Sequence, residues 1–391
     1  MCTEPERRRT PRRASALFWF FKMSATGPRI EEDSFGTFFD EELKTSVPVR
    51  RFTLTNSRNV CVQIINYGAT ITNIIVPDKN GIFADINLGF DNMEGYTKNW
   101  VNPYFGAVVG RVANRIGKAQ FSIKGQTFHV SKNIGENHLH GGFKGFDKKI
   151  WDANVEGVKV TFSYVSKDGE EGYPGSVLVA ATYSLSEASE LLLEMTATTT
   201  KPTPVNLTNH AYFNLAGHEK GQEGLNEHKV QINASFYTPT VDSIPTGEIK
   251  PVAGTTYNLT VPKLLKEVLP WTPDDGFDLN YCVNTSKPPT IVLVAKVTHP
   301  PSGRLLEVYS DQPGVQFYSS NNLPSENILQ GKGGCFYTKH GAFCLETQNY
   351  PDAVNHVNFP KAVLLPGETY RHNVKYYFGI QTEEQGSCTI A

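Results

Sequence analysis

Paired cysteines are missing from this sequence. Its six cysteines stand at 2, 61, 282, 335, 344 and 388, with no CxxC pair among them. That excludes a zinc ribbon or a thioredoxin-like dithiol. Their scatter over 391 residues is no disulfide framework, so reduced thiols in a cytoplasmic protein are the expected state. Phosphate-cradling loops are missing as well. There is no GxxxxGK followed by Ser or Thr and no GxGxxG, and the cluster Gly331-Lys332-Gly333-Gly334 has neither spacing. Without GxSxG, a serine hydrolase of the α/β type is not expected. Charge of one sign is not in excess. With 37 Lys and Arg against 39 Asp and Glu, nothing points to nucleic acid or an acidic membrane as partner. Long apolar runs are absent: Ala16 to Phe21 is too short to span a bilayer and falls short of the roughly 7–15 residues of a signal-peptide core. That run follows Arg7, Arg8, Arg9, Arg12 and Arg13. Residues 1–34 therefore read as a disordered basic tail, in which Glu4 and Glu6 argue against a transit peptide and Met23 offers an internal start.

Helical periodicity is nearly absent too; its best case is Pro262 to Val268, opened by proline at a first helical position. Strand signals recur instead. Val60 to Ile65 is β-branched, Lys159 to Tyr164 alternates, and so does Leu191 to Thr198 after its first turn. Leu305 to Tyr309 and Val315 to Tyr318 are of the same kind. Turn signals at Lys79-Asn80-Gly81, Ile123-Lys124-Gly125-Gln126 and Lys167-Asp168-Gly169 separate them. With 17 Tyr, 23 Phe, 33 Gly and 24 Pro, the composition is that of aromatic strands cut by turns. The expected fold is all-β, a large antiparallel β-sandwich with few short helices. No linker or repeat interrupts it, so one domain is expected from 35 to 391.

Five segments carry chemistry. His138-Leu139-His140, if on a strand, places both imidazoles on one face, where they could meet one ligand. A metal would want a third His or a carboxylate, and Gly141 to Ile150 supply only Asp147. Bonding to the scaffold and contact with a polar substrate are the other readings; the substrate contact is preferred, because Gly141 and Gly142 permit close backbone approach. Asn206 to Asn214 sets His210 among amides, hydroxyls and aromatics, the flat faces and polar edges a sugar site needs. A histidine there can donate or accept a proton near neutrality, or be a satisfied core residue. Phe343 to Asp352 sets Glu346 between apolar residues and amides, where burial raises a carboxylate toward the range of a base, or where an arginine pairs with it. Gly110 to Ile116 carries Arg111 and Arg115, and Gly276 to Tyr281 carries Asp278. An arginine and an aspartate together can hold several sugar hydroxyls.

In this order the segments resemble the galactose mutarotase, or aldose 1-epimerase, family. So do Tyr104 to Arg111, Asp168 to Gly175, and Gln312 to Tyr318. The resemblance spans nearly everything after the tail and implies an isomerase of free hexoses such as D-galactose and D-glucose, with no cofactor and no metal. It implies His210 as the acid that protonates the ring oxygen and Glu346 as the base at the C1 hydroxyl. It gives His140 a hydrogen bond near the anomeric centre, Arg115 and Asp278 the holding of hydroxyls, and Asn114 and Gln316 lesser contacts. One departure is visible: Leu279 stands where the family has His, which bears on fine substrate preference rather than on catalysis. Three rivals remain. A hexose-6-phosphate epimerase would need a basic cluster where only Arg115 is visible. A sugar-binding module would not need to keep His210 and Glu346. A metal enzyme would use His138 and His140.

Overall fold

The computed structural model describes residues 27–381 apart from 42, 99–102 and 286–289. Its largest element is a nine-stranded antiparallel sheet. In spatial order the strands are Asp152–Glu156, Lys159–Ser166, Val177–Leu185, Glu190–Thr199, Tyr370–Ile380, Arg304–Ser310, Val292–His299, Lys229–Ile232 and Lys263–Leu264. Period-two alternation gives this sheet its inner face: Val177, Val179, Ala181, Tyr183 and Leu185 are buried, as are Leu191, Leu193, Met195 and Ala197 on the next strand.

A second sheet lies across that face. It runs Arg29–Asp40, Thr45–Thr55, Cys61–Ile65, Thr70–Pro77 and Phe83–Asp85, and its Phe52, Val62 and Ile64 share the same core. The rings of Phe52 and Phe162 meet edge to face with centroids 5.4 Å apart. The expected antiparallel sandwich is thus observed, as are the five expected strands. The Lys124-Gly125 turn joins Gln120–Ile123 to Gln126–His129 with both residues at positive φ, 51° and 81°, the two-residue connection that suits strand twist.

Two boundaries differ from expectation. Residues 29–34 are not tail: Arg29 to Asp40 pairs along its length with Thr45 to Thr55. The run Glu31-Glu32-Asp33 masks the strand, because two of those carboxylates meet arginines of the next strand, Glu32 on Arg50 at 2.6 Å and Asp33 on Arg51, and Glu31 pairs with Arg29 on its own strand. Residues 1–26 of the expected tail lie outside the described residues. The expected helix at 262–268 shrinks to Leu265–Val268, continued by a 3-10 turn, Leu269–Trp271. Lys263 and Leu264 instead pair with Val230 and Lys229, and Pro270 has no N–H to extend the helix. Among the described residues no helix is long and apolar enough to cross a membrane.

A third sheet carries the chemistry: Lys250–Pro251, Ala234–Tyr237, Asp278–Val283, Gly314–Tyr318 and Cys344–Gln348. Leu279, Tyr281, Val315, Phe317 and Leu345 face the main core. The intervening residues face the other way.

Candidate active site

Register sets the first half of the site. Asp278 is opposite Tyr318, and Gln316 is opposite Glu346 on its other side. Cross-strand neighbours share a face, so Asp278, Gln316, Tyr318 and Glu346 project together away from the apolar core. The side-chain amide of Gln316 donates to Oδ1 of Asp278 at 2.7 Å.

The second half comes from connections near the other sheets. His210 follows the two-residue strand Thr208–Asn209, which pairs with Val108–Val109. Its ring lies between two tyrosines, stacked on Tyr212 at 4.9 Å and on Tyr104 at 5.9 Å, with interplanar angles of 10° and 16°. That slot fixes the plane of the imidazole. His140 crosses it at 5.2 Å and 73°. The backbone N–H of Asn114 donates to Nδ1 of His140 at 3.1 Å, and the N–H of His140 donates to the carbonyl of Asn114 at 3.0 Å. Both residues have positive φ, 61° at Asn114 and 50° at His140, so the chain turns sharply at each.

These groups line one cavity of about 630 Å³ that is open to solvent. All seven expected site residues, Asn114, Arg115, His140, His210, Asp278, Gln316 and Glu346, border it. At its floor Nε2 of His210 faces Oε2 of Glu346 at 3.5 Å, with no hydrogen bond between them. Oε1 of Gln316 is also buried without a partner.

A family model described as aldose 1-epimerase matches residues 50–377. The galactose mutarotase of Rattus norvegicus is 47% identical over 345 residues, covering 88% of this chain and 98% of its own length. The aldose 1-epimerase of Escherichia coli is 33% identical over 339 residues, covering 85% and 95%. The chain belongs to the aldose 1-epimerase family. Among solved structures, the GalM/aldose epimerase homologue from C. elegans superposes with a TM-score of 0.75 at 29% identity, over 83% of this chain and 96% of the other. The galactose 1-epimerase from Lactobacillus acidophilus matches in fold, with a TM-score of 0.75 at 24% identity, over 90% of this chain and 100% of the other. The chain is accordingly an isomerase, an aldose 1-epimerase.

Burial sets the electrostatics of this epimerase site. It lowers His210 to about 3 and holds His140 well below the usual histidine range, with nearby His210 and Arg115 adding to the effect on His140. Burial raises Glu346 well above the ordinary carboxylate range; Asp278 raises it further and Arg115 opposes. Asp278 is also raised by burial, against the pull of Arg115 and the Gln316 hydrogen bond.

His138 does not join His140. The strand ends at Leu139, and the positive φ of His140 breaks the alternation on which a shared face depends. His138 is fully buried, with Nδ1 2.7 Å from the Ser131 carbonyl and Nε2 2.7 Å from the Tyr173 hydroxyl. Arg111 is likewise scaffold. Its guanidinium donates to the carbonyls of Pro174, Gly175 and Lys167 and to the hydroxyls of Ser166 and Thr203. This explains the Asp168 to Gly175 segment: it wraps Arg111, and its Tyr173 anchors His138. Leu279, the departure from the family pattern, faces the core and does not border the cavity, so it touches no substrate there.

Among the described residues one trio could hold a metal: His140, His210 and Glu346 each offer a ligand atom within 4.8 Å of the others. The hydrogen bonding at His140 does not fit. A backbone N–H can only donate, so Nδ1 of His140 carries the lone pair and Nε2 of the neutral ring carries the proton. A proton on Nε2 blocks ligation there, whereas it suits donation to a sugar oxygen.

The tyrosine slot was not assigned a role from sequence. Tyr104, Tyr212 and Tyr318 sit inside recognised segments, but alternation alone does not show that two of them stack on His210. Asp242, Ser243 and Asp274, at the cavity's edge, carry no motif at all.

Proposed function

We propose that this site interconverts the α and β anomers of free hexoses such as D-galactose and D-glucose by acid–base ring opening, with Glu346 and His210 as the proton-transfer pair. The observation that carries the proposal is the buried pair itself, a carboxyl group and an imidazole facing each other at the floor of a cavity edged with hydroxyl-binding groups.

The chemistry needs little else. Glu346 takes the proton of the C1 hydroxyl while His210 delivers one to the ring oxygen. The C1–O5 bond breaks and the aldehyde forms. Rotation about C1–C2 presents its other face, and reclosure runs both transfers backward. Each transfer is typically worth about 10²–10⁴ in rate. No electrons move and no group is transferred.

A single proton shared by the pair has two placements, carboxylate with imidazolium or carboxylic acid with imidazole. Burial favours the uncharged placement in the empty cavity. Sugar hydroxyls donated to the carboxylate favour the charged one, so binding prepares the pair for ring opening. His140 donates from Nε2 near the anomeric oxygen, Arg115 and Asp278 hold hydroxyls, and Asn114 and Gln316 make lesser contacts. The stacked tyrosines keep His210 in plane. We place the activity in the cytoplasm; in support, Cys61, Cys282, Cys335 and Cys344 are free thiols.

Polarimetry of freshly dissolved α-D-galactose and α-D-glucose tests the proposal. Purified protein accelerates the approach to the equilibrium rotation of both; rates equal to those of buffer alone refute it.

A further inference from the structure

The cavity mouth has a charge bias that the proton-transfer chemistry does not require. Among the described residues, four carboxyl groups border the cavity, Asp242, Asp274, Asp278 and Glu346, against a single Lys or Arg, Arg115. Asp278 and Glu346 belong to the floor. Asp242 and Asp274 are exposed at the edge.

Each outer aspartate is held over the opening. Thr240–Val241 and Ile244–Pro245 form a small hairpin, whose two-residue tip is Asp242-Ser243. Both tip residues have positive φ, 48° and 63°. That turn ordinarily carries Asn-Gly, and side chains other than Asn, Asp and Gly are disfavoured in it. Asp274 lies on the loop leading into the Asp278 strand and is near enough to raise the Asp278 carboxyl. Neither outer aspartate makes an ion pair among the described residues. By contrast, the adjacent Asp275 is neutralised by Lys339 and does not border the cavity. Lys148, whose Nζ lies 4.9 Å from the centroid of the cavity-lining Tyr104 ring, is bonded to Asp147 at 2.6 Å.

We infer that Asp242 and Asp274 make the mouth a charge filter, which admits neutral pyranoses and turns away anionic ones such as hexose phosphates and hexuronates. The inference rests on the proposed hexose reaction and names what sets its substrate class. A phosphate on the ring enters a space edged by carboxylates with one guanidinium to offset them. At about 6 Å through water, each repulsion is worth about threefold in affinity per unit of ligand charge, so the two outer aspartates together account for about tenfold or more at low salt.

The test uses two sugars that cannot react because they lack the C1 hydroxyl, 1,5-anhydroglucitol and its 6-phosphate. Binding of each is measured by calorimetry at about 0.01 M ionic strength, where the Debye length is about 30 Å, and again at about 1 M, where it is about 3 Å. The full chain is compared with the doubly substituted Asp242→Asn, Asp274→Asn protein. Asparagine keeps the side-chain shape and tolerates the left-handed turn, so only charge is removed. The expected result is a preference for the neutral sugar that shrinks about tenfold or more in the variant at low salt and changes little between the two proteins at high salt. An unchanged preference overturns the filter. So does an equal loss of both sugars, which would make the aspartates hydroxyl-holding groups. Failure of the hexose reaction shows separately, as absent polarimetric turnover of free galactose, and leaves this binding comparison intact.

Discussion

Nε2 of His210 and Oε2 of Glu346 stand 3.5 Å apart, and neither side chain is more than 5% exposed. Burial moves their titrations in opposite directions, His210 to about 3 and Glu346 upward. Each of the following expectations depends on that pair or on the groups that hold a sugar against it.

Replacing Glu346 with Gln lowers kcat at least about 10²-fold, since the amide cannot take the C1 proton. It also stabilises the fold. The carboxyl of Glu346 titrates higher in the native state than in the unfolded one, so ionisation opposes folding increasingly as pH rises above about 4.5. Glutamine has no such penalty. Melting curves at pH 5 and pH 8 should show the variant gaining on the parent at the higher pH; a variant less stable at both would contradict the buried-carboxyl reading.

Substituting His210 with Gln also lowers kcat at least about 10²-fold. The double variant with Glu346→Gln costs less than the two single losses multiplied, because both groups serve one coupled ring opening. Fully multiplicative losses would separate the two roles.

The pH profile of kcat/KM has no limb near 6.5, the position of an unburied histidine. Burial keeps His210 in its neutral form down to about 3. Stability follows the same direction for His210, His228 and His372, lowered by burial to about 3, 3 and 4. The unfolded chain binds their protons first, so stability falls as pH drops from about 6.5 toward those values. Denaturant midpoints between pH 7 and pH 4 measure the fall.

The two arginines four residues apart behave differently. Arg115→Ala leaves a folded protein with KM raised about tenfold or more, the scale of a lost charged hydrogen bond of about 1.5–3 kcal/mol; Asp278→Ala behaves alike. Arg111→Ala removes the centre of a buried donor network and lowers stability by about 3 kcal/mol or more. Circular dichroism melts and steady-state polarimetry together distinguish them.

Exhaustive chelation leaves turnover unchanged, because Nε2 of His140 carries a proton rather than a free lone pair. Activity lost to a chelator and restored by a divalent cation would return His140, His210 and Glu346 to a ligand set.

Much of the fold was legible because period-two alternation reports burial directly, as at Lys159 to Tyr164 and Leu191 to Thr198. The strand Arg29–Asp40 was hidden because its Glu32 and Asp33 are matched by arginines 18 residues away, a cross-strand fact that local composition does not carry. His138 misled for a related reason. The pairing of two histidines on one face assumed that the strand continued through His140, and it ends one residue earlier. The seven expected site residues converge because the motifs each kept their polar residues together. What surrounds them was not legible: the slot is closed by Tyr104, more than a hundred residues before His210, and the place of the Asp242-Ser243 tip beside the cavity is set by the fold rather than by its own sequence.

The last described strand, Tyr370–Ile380, lies in the middle of the nine-stranded sheet, between Glu190–Thr199 and Arg304–Ser310. During synthesis the two halves of that sheet therefore have no shared neighbour until residues 370–380 have left the ribosome. Until then each half ends in a long unpaired edge, open to any other strand. A chain cut short before Tyr370 would keep every expected site residue, Asn114 through Glu346, and still lack the strand that joins the two halves of the nine-stranded sheet.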